Sequence, residues 1–430
     1  MRAFNAATEA RRHRGIPFLL PWLLSVPLWL CGCASQPPAA NGLSFDFAAA
    51  PEPTYSRERG NGFEPGAPRN AAGQPSFFTV DLPEGNYRVT ATLGGPQASD
   101  TTIKAELRRL MLDGVRLPAG ASETRSFIVN VRTDRIAAVP GVDAGVVKLK
   151  EPRESKDEVW AWDSRLTLEI NGAQPAVQRL VIEPVKVPTV FLLGDSTVAD
   201  QMREPYSSWG QILTALFKPT VAVANHAQSG ETFRDSLARR RLDKILSQLQ
   251  PGDTVLLQFG HNDQKQQKDG SGNARTYQAE LRTHAERILA RGGVPVVLSS
   301  MERRNFDEQG RIKPSLTEYA DAARAVAADM KLAFIDLNGM SQQMYAALGP
   351  ERSKAAHPMN AGKLDNTHHN NYGAMQLARL VALGLREARV PVAAQLRDDL
   401  GAIEPGKPQP PEQFRVAASP GFTQQRPLGD

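Results

Sequence analysis

Val190-Phe191-Leu192-Leu193-Gly194-Asp195-Ser196-Thr197 is a short apolar run that stops on a glycine, an acid and two hydroxyl side chains. It reads as a buried strand and its exit turn, and it opens a region in which apolar runs alternate with helical stretches, the pattern of parallel β-α-β units. Strands are expected at Thr189 to Leu193, Val221 to Ala224, Thr254 to Gln258, Val294 to Ser299 and Ala333 to Leu337. Helices are expected at Ser208 to Phe217, Ser236 to Gln248, Tyr277 to Ala290, Leu316 to Met330 and Tyr372 to Glu387. Five strands with intervening helices make a three-layer α/β/α domain with a five-stranded parallel sheet, placed here at residues 187–403.

Working upstream, the period shortens. Phe77-Phe78-Thr79-Val80, Tyr87 to Leu93, Ser126 to Val131 and Arg165 to Ile170 are short, alternating or β-branched, and separated by Pro, Gly, Asn and Asp. These are signals of an antiparallel β-sandwich, assigned to residues 43–186. Trp160 and Trp162, two apart on an expected strand, would share one face and form a candidate sugar platform. Downstream, residues 404–430 are rich in Pro and Gln and read as a tail, disordered or draped on the surface.

The first 32 residues carry Arg2, Arg11, Arg12 and Arg14 ahead of the apolar run Ile16 to Leu30, the order of a signal peptide. Pro17, Pro21 and Pro27 interrupt a run already short for a membrane-spanning helix. Leu30-Cys31-Gly32-Cys33 resembles a bacterial lipobox in which Cys33 is lipidated, with residues 33–42 as a tether; a soluble secreted protein cleaved nearby is the alternative. The two cysteines both lie in this segment, so no disulfide framework supports the fold. The net charge of +5 loses the contribution of four Arg and Glu9 on cleavage, leaving about +2, and no basic run interleaved with aromatics points to nucleic acid.

Four polar segments stand at the carboxyl ends of these units, the edge at which open α/β sheets keep their sites. They are Gly194-Asp195-Ser196-Thr197, Asn225-His226-Ala227-Gln228-Ser229-Gly230, Gly260-His261-Asn262-Asp263 and Asp365-Asn366-Thr367-His368. Singly, each has an ordinary reading as a helix cap, a tight turn or a surface loop. Together they place a serine, two segments able to donate N–H groups to an oxyanion, and a carboxylate three residues before an imidazole, the parts of nucleophilic acyl transfer. His226 is read as lining the cleft, and His284 and His357 as ordinary. His369, beside His368, should point another way. No His or carboxylate spacing suits a metal, and neither metal nor cofactor is expected.

With these motifs, and with Ser208-Trp209-Gly210-Gln211 and Gly373-Ala374, the chain from about Thr189 to Arg389 resembles the SGNH (GDSL) hydrolase superfamily, most closely the rhamnogalacturonan acetylesterase-like carbohydrate esterases. The resemblance implies a flavodoxin-like fold and roles for named residues. Ser196 is the nucleophile, His368 the general base and Asp365 its orienting acid. The oxyanion hole is made by the backbone N–H groups of Ser196 and Gly230 and the side chain of Asn262, with Asp195, Thr197 and His261 in support. Thr197 after the nucleophile favours the carbohydrate-esterase branch over lipolytic relatives. Phe45-Asp46-Phe47, Tyr55-Ser56 and Gly60-Asn61-Gly62-Phe63 resemble the start of a galactose-binding-like module. The implied function is removal of acetyl groups from an acetylated plant cell-wall polysaccharide, with rhamnogalacturonan or pectin first. An esterase on acetylated xylan or on a short-chain lipid ester, or a non-catalytic carbohydrate-binding surface protein, remains the alternative. The expected location is the periplasm or outer membrane as a lipoprotein, otherwise secreted, with membrane contact through the lipid only. The sequence does not specify an oligomeric state.

Overall fold

Strands that alternate apolar and polar side chains can bury only one face, so the chain before residue 186 has to pair antiparallel and stack two sheets. The computed structural model describes residues 42–48, 53–65, 74–267 and 270–419, and it has this arrangement. In chain order the strands are β1 (Leu43–Asp46), β2 (Asn61–Phe63), β3 (Ser76–Asp81), β4 (Gly85–Gly94), β5 (Ser99–Ala105), β6 (Arg109–Leu117) and β7 (Ser122–Val131). The short pair β8 (Arg135–Ile136) and β9 (Gly145–Val146) follows, then β10 (Arg165–Gln174) and β11 (Val177–Pro184). One sheet runs β1-β11-β4-β7 and the other β2-β3-β10-β5-β6.

Between the sheets lies a core that includes Phe45, Phe78, Val89, Leu93, Val129, Leu168 and Leu180. The rings of Phe45, Phe47 and Phe63 gather around Phe78 with centroids 4.9 to 5.1 Å away. These aromatics are core packing rather than a surface for sugar. Trp160 and Trp162 depart from expectation. Trp160 lies in a 3-10 turn, Val159–Ala161, with Trp162 closing it, and both rings are buried in an apolar cluster shared with Phe77, Phe191 and Leu193. The chain is already helical just upstream, at Arg153–Asp157, and the 3-10 turn follows it after a single residue. No exposed tryptophan platform exists there.

The second half is a parallel sheet of β12 (Thr189–Gly194), β13 (Ala222–Asn225), β14 (Thr254–Gln258), β15 (Val294–Leu298) and β16 (Ala333–Ile335), in the order β13-β12-β14-β15-β16. Successive residues point to opposite faces. Val190 and Leu192 therefore pack with α1 (Trp209–Leu213), α7 (Leu337–Arg352) and α8 (Asn371–Glu387). Phe191 and Leu193 pack with α3 (Arg241–Gln248), α5 (Ala274–Ala290) and α6 (Thr317–Asp329) on the other face. The α/β/α class, the five-stranded parallel sheet and the preceding antiparallel sheets match the expectation.

Boundaries shift where caps intervene. The expected helix at 236–248 divides into α2 (Phe233–Ala238) and α3: a Thr232–Asp235 capping box starts it three residues early, and Arg240, with φ +63°, breaks it. The expected strand at 333–337 stops at Ile335 because Asp336 caps α7, a helix with no counterpart among the expected elements. The other helix, α4 (Asp263–Gln266), is a single turn.

The two sheet systems meet over a polar seam. Arg108 donates to the carbonyls of Gln201 (2.9 Å) and Tyr206 (3.0 Å), and Gln211 donates to the carbonyl of Leu107 (2.5 Å). Residues 404–419 lie across α8, with Tyr372 donating to the carbonyl of Gln409 (2.6 Å), and end on the sandwich, where Lys104 donates to the carbonyl of Ala417 (2.6 Å). The expected signal peptide, Cys33 and the tether up to residue 41 lie outside the described residues.

Candidate active site

The site is assembled at the carboxyl edge of the parallel sheet, from the exits of β12, β13 and β14 and the loop before α8. At the first exit the backbone must turn tightly over β14. A Cβ on Gly194 would lie 2.6 Å from the carbonyl oxygen of Gln258 and 2.5 Å from Val198, so only glycine fits.

Asp195 is fully buried behind Ser196. Its Oδ1 accepts from the backbone N–H (2.9 Å) and the hydroxyl (2.7 Å) of Thr197, and its Oδ2 stands 3.4 Å from His261 Nδ1. Burial alone would raise this carboxyl, but the His261 imidazole and the Thr197 donors outweigh it and hold Asp195 below its ordinary value. Thr197 in turn accepts from Gln258 Nε2 (2.8 Å), whose Oε1 accepts from the Trp209 indole (2.8 Å). A buried polar chain thus runs from Trp209 to His261 and fixes the turn that presents Ser196.

Ser196 Oγ lies 2.9 Å from His368 Nε2, and His368 Nδ1 lies 2.8 Å from Asp365 Oδ2. The spacing of three works because Asp365 also binds the backbone: its Oδ1 accepts from Thr367 N (2.8 Å) and His368 N (2.9 Å). Burial works against the Asp365 charge, but the hydrogen bonds from the His368 ring and the two amides dominate, so this carboxyl sits well below the usual range. The rest of the loop is fixed from behind. His357 Nδ1 donates to the carbonyl of His368 (2.7 Å), and the ring of Tyr206 meets the His368 ring edge-on at 5.8 Å.

Gly230, with φ +76°, closes the turn after β13, and the Asn262 side chain reaches the same turn by donating to the carbonyl of Glu231 (3.0 Å). Among the described residues the backbone N–H groups of Ser196 and Gly230 have no acceptor, and Asn262 keeps a second amide proton for a ligand. A hydroxyl against an imidazole, an imidazole against a carboxylate and three available donors are together equipped for acyl transfer.

The remaining histidines divide. His369 points into the protein and meets the Tyr345 hydroxyl at 2.5 Å; His284 is buried against Ser236. His226 was expected in the cleft and is not there. It is wholly buried between Phe191 and Trp162, and desolvation keeps it neutral, its side chain pointing down into the core from the exit of β13. Among the described residues, no group of three or more His, Cys, Asp and Glu is arranged to hold a metal ion, and no helix is long and apolar enough to cross a membrane.

Several residues around the site were invisible to motif reading. Lys150 donates to the carbonyl of Ser229 (2.7 Å), and Gln228 donates to Glu158 (2.8 Å), so a segment preceding β10 grips the turn that carries Gly230. Beneath it Arg241, fully buried, joins Glu231 (2.8 Å) to Glu154 (2.5 Å). The pairs that join the two segments are 70 to 87 positions apart, and the upstream segment has no periodic pattern; the run of alternating charges at 150–158 is its one distinguishing sequence feature.

Residues 192–375 match the model of the GDSL-like Lipase/Acylhydrolase family. The chain is 40% identical over 218 residues to rhamnogalacturonan acetylesterase RhgT of Bacillus subtilis (strain 168), covering 48% of this chain and 93% of RhgT. It is 26% identical over 315 residues to the uncharacterized esterase YxiM of the same organism, covering 72% of this chain and 74% of that protein. The crystal structure of YxiM superimposes with a TM-score of 0.46 at 24% identity, over 79% of this chain and 93% of that one. The chain belongs to the GDSL-like lipase/acylhydrolase family and is a carboxylic ester hydrolase.

Proposed function

We propose that this protein is an acetylesterase acting on an acetylated plant cell-wall polysaccharide, rhamnogalacturonan first, through a Ser196–His368–Asp365 triad. The observation that carries the mechanism is the continuous hydrogen-bonded line from Ser196 Oγ to His368 Nε2 (2.9 Å) and from Nδ1 to Asp365 (2.8 Å). The substrate reading is supported by the 40% identity to RhgT.

In this reading His368 takes the Ser196 proton as Oγ attacks the acetyl carbonyl. The charge on the carbonyl oxygen is met by the N–H groups of Ser196 and Gly230 and by Asn262. His368 then passes the proton to the departing sugar hydroxyl, and water attacks the acetyl-serine by the same route in reverse. Asp365, ionised throughout, keeps Nδ1 protonated and Nε2 available as the base. The protein is exported and held to a membrane by lipid on Cys33, a reading supported by the charged, apolar and Leu-x-Gly-Cys order of the leader.

Initial rates of acetate release from acetylated pectin, acetylated xylan and a medium-chain ester test the assignment. The pectic substrate should be fastest, and faster turnover of the medium chain would overturn the choice. Polysaccharide binding without acetate release would mean a non-catalytic protein. Ser196→Ala should abolish turnover, and Cys33→Ser should move the protein out of the membrane fraction.

A further inference from the structure

Two ammonium groups flank the proposed oxyanion donors. Lys150 Nζ donates to the carbonyl of Ser229 (2.7 Å) and would sit 3.5 Å from a Cβ placed on Gly230, so it lies close against the turn that carries Gly230. Lys265 Nζ donates to Asn262 Oδ1 (3.0 Å), whose amide is fixed to the carbonyl of Glu231 (3.0 Å). Lys150 is therefore tethered directly to the turn Ser229-Gly230-Glu231, and Lys265 is tethered to it through Asn262. Each ammonium has three N–H donors; Lys150 uses one on the Ser229 carbonyl and Lys265 one on Asn262 Oδ1. Lys265 is exposed, and the Lys150 side chain keeps 22% of its surface open.

The nearest opposing charge does not cancel the pair. Glu231 is 3.9 Å from Lys150, but its carboxylate is wholly buried and already engaged by Arg241 and Arg239. Asp235 also faces Lys150, and its Oδ2 is turned onto Thr232 and Gln266. A positive rim with free donors is left next to Gly230 and Asn262. Lys150 lies outside residues 192–375, the span of the family match.

We propose that Lys150 and Lys265 bind a carboxylate of an acidic glycan, selecting acetyl esters carried on or next to a uronate over those on neutral sugars. The proposal rests on the acetylesterase reading and names the chemistry by which it discriminates. A lysine contributes as a mobile point charge rather than a fixed fork, which suits a carboxylate whose distance from the acetyl group varies along a polymer.

The test compares one acetylated galacturonate-containing oligosaccharide with its carboxylates free and with the same carboxylates methyl-esterified. An exposed charge pair contributes about two- to fivefold, so two pairs predict that wild type prefers the free acid by roughly tenfold in kcat/KM. The preference should shrink as NaCl is raised from 20 to 500 mM, as screening requires. Lys150→Met with Lys265→Met should bring it to about twofold or less, while Lys150→Arg with Lys265→Arg keeps most of it. The double Met variant will also lose some rate on neutral esters, since it loosens the turn, so the ratio between the two substrates is the readout. Equal rates on the two forms in wild type, or a preference undiminished in the double Met variant, would overturn the lysine proposal alone. No acetate from either form, with a small neutral ester still hydrolysed, would instead remove the glycan reading beneath it.

Discussion

Replacing Arg241 by Met tests whether the turn bearing Gly230 is held in place by buried charge. Arg241, Glu231 and Glu154 have no exposed side-chain surface, and the guanidinium lies 2.8 Å from one carboxylate and 2.5 Å from the other. The Arg241 charge is what keeps Glu154 below its ordinary value against a desolvation that would raise it. Methionine fills similar space and leaves both carboxylates buried. Glu231 retains Lys150 at 3.9 Å and Arg239 at 3.6 Å; Glu154 retains neutral N–H donors, among them the Lys150 backbone and the Trp162 indole. Breaking a buried pair by removing one partner costs about 3–5 kcal/mol. Over roughly 390 residues the unfolding entropy is about 0.8 kcal/mol/K, so about 4 kcal/mol lowers Tm by about 5 °C. Because Glu231 directly follows Gly230, kcat on a small acetyl ester should also fall, by about tenfold, with KM changing less. Scanning calorimetry and steady-state rates on the same preparations read both quantities. Adding Glu154→Gln and Glu231→Gln to the Met variant should restore most of the lost Tm without restoring kcat. A Tm within 1 °C of wild type would refute the energetic argument, and a lowered Tm with kcat intact would refute the positioning argument.

Asp365→Asn should lower kcat/KM by about 10² to 10³. This is less than for a deeply buried triad acid because 23% of the Asp365 side chain is open to solvent, and a loss under threefold would remove its role. Asp263 is pushed up to about 8 by burial, and neither carboxyl oxygen has a partner among the described residues. Between about pH 4 and 8 the folded chain therefore binds a proton the unfolded chain has released, and stability falls as pH rises, by up to about 1.4 kcal/mol per unit. Urea midpoints at pH 5 and pH 8 should differ less in Asp263→Asn than in wild type, and equal differences would count against the shift. Gly194→Ala forces a Cβ to 2.6 Å from the Gln258 carbonyl, so it should cost about 1–3 kcal/mol and displace Ser196; a fully active, equally stable variant would contradict the geometry.

The sequence by itself determined the layers and the order of the site. Alternation at Tyr87 to Leu93 and the apolar run at Val190 to Leu193 each allow only one mode of burial, and local periodicity is a short-range property that a single chain displays. The placing of Ser196, Gly230, Asn262 and the Asp365–His368 loop at the carboxyl edge follows from the same β-α-β order. Tertiary structure alone decided what lies behind them. Trp160 and Trp162 went into a core because the neighbouring chain turned helical, and His226 went down from its strand exit instead of out into the cleft. Lys150, Glu154 and Glu158 reached the turn around Gly230 from 70 residues upstream or more. Such contacts are set by how two sheet systems dock, and docking is governed by the shape and charge of surfaces assembled from distant segments, which leave no periodic trace along the chain.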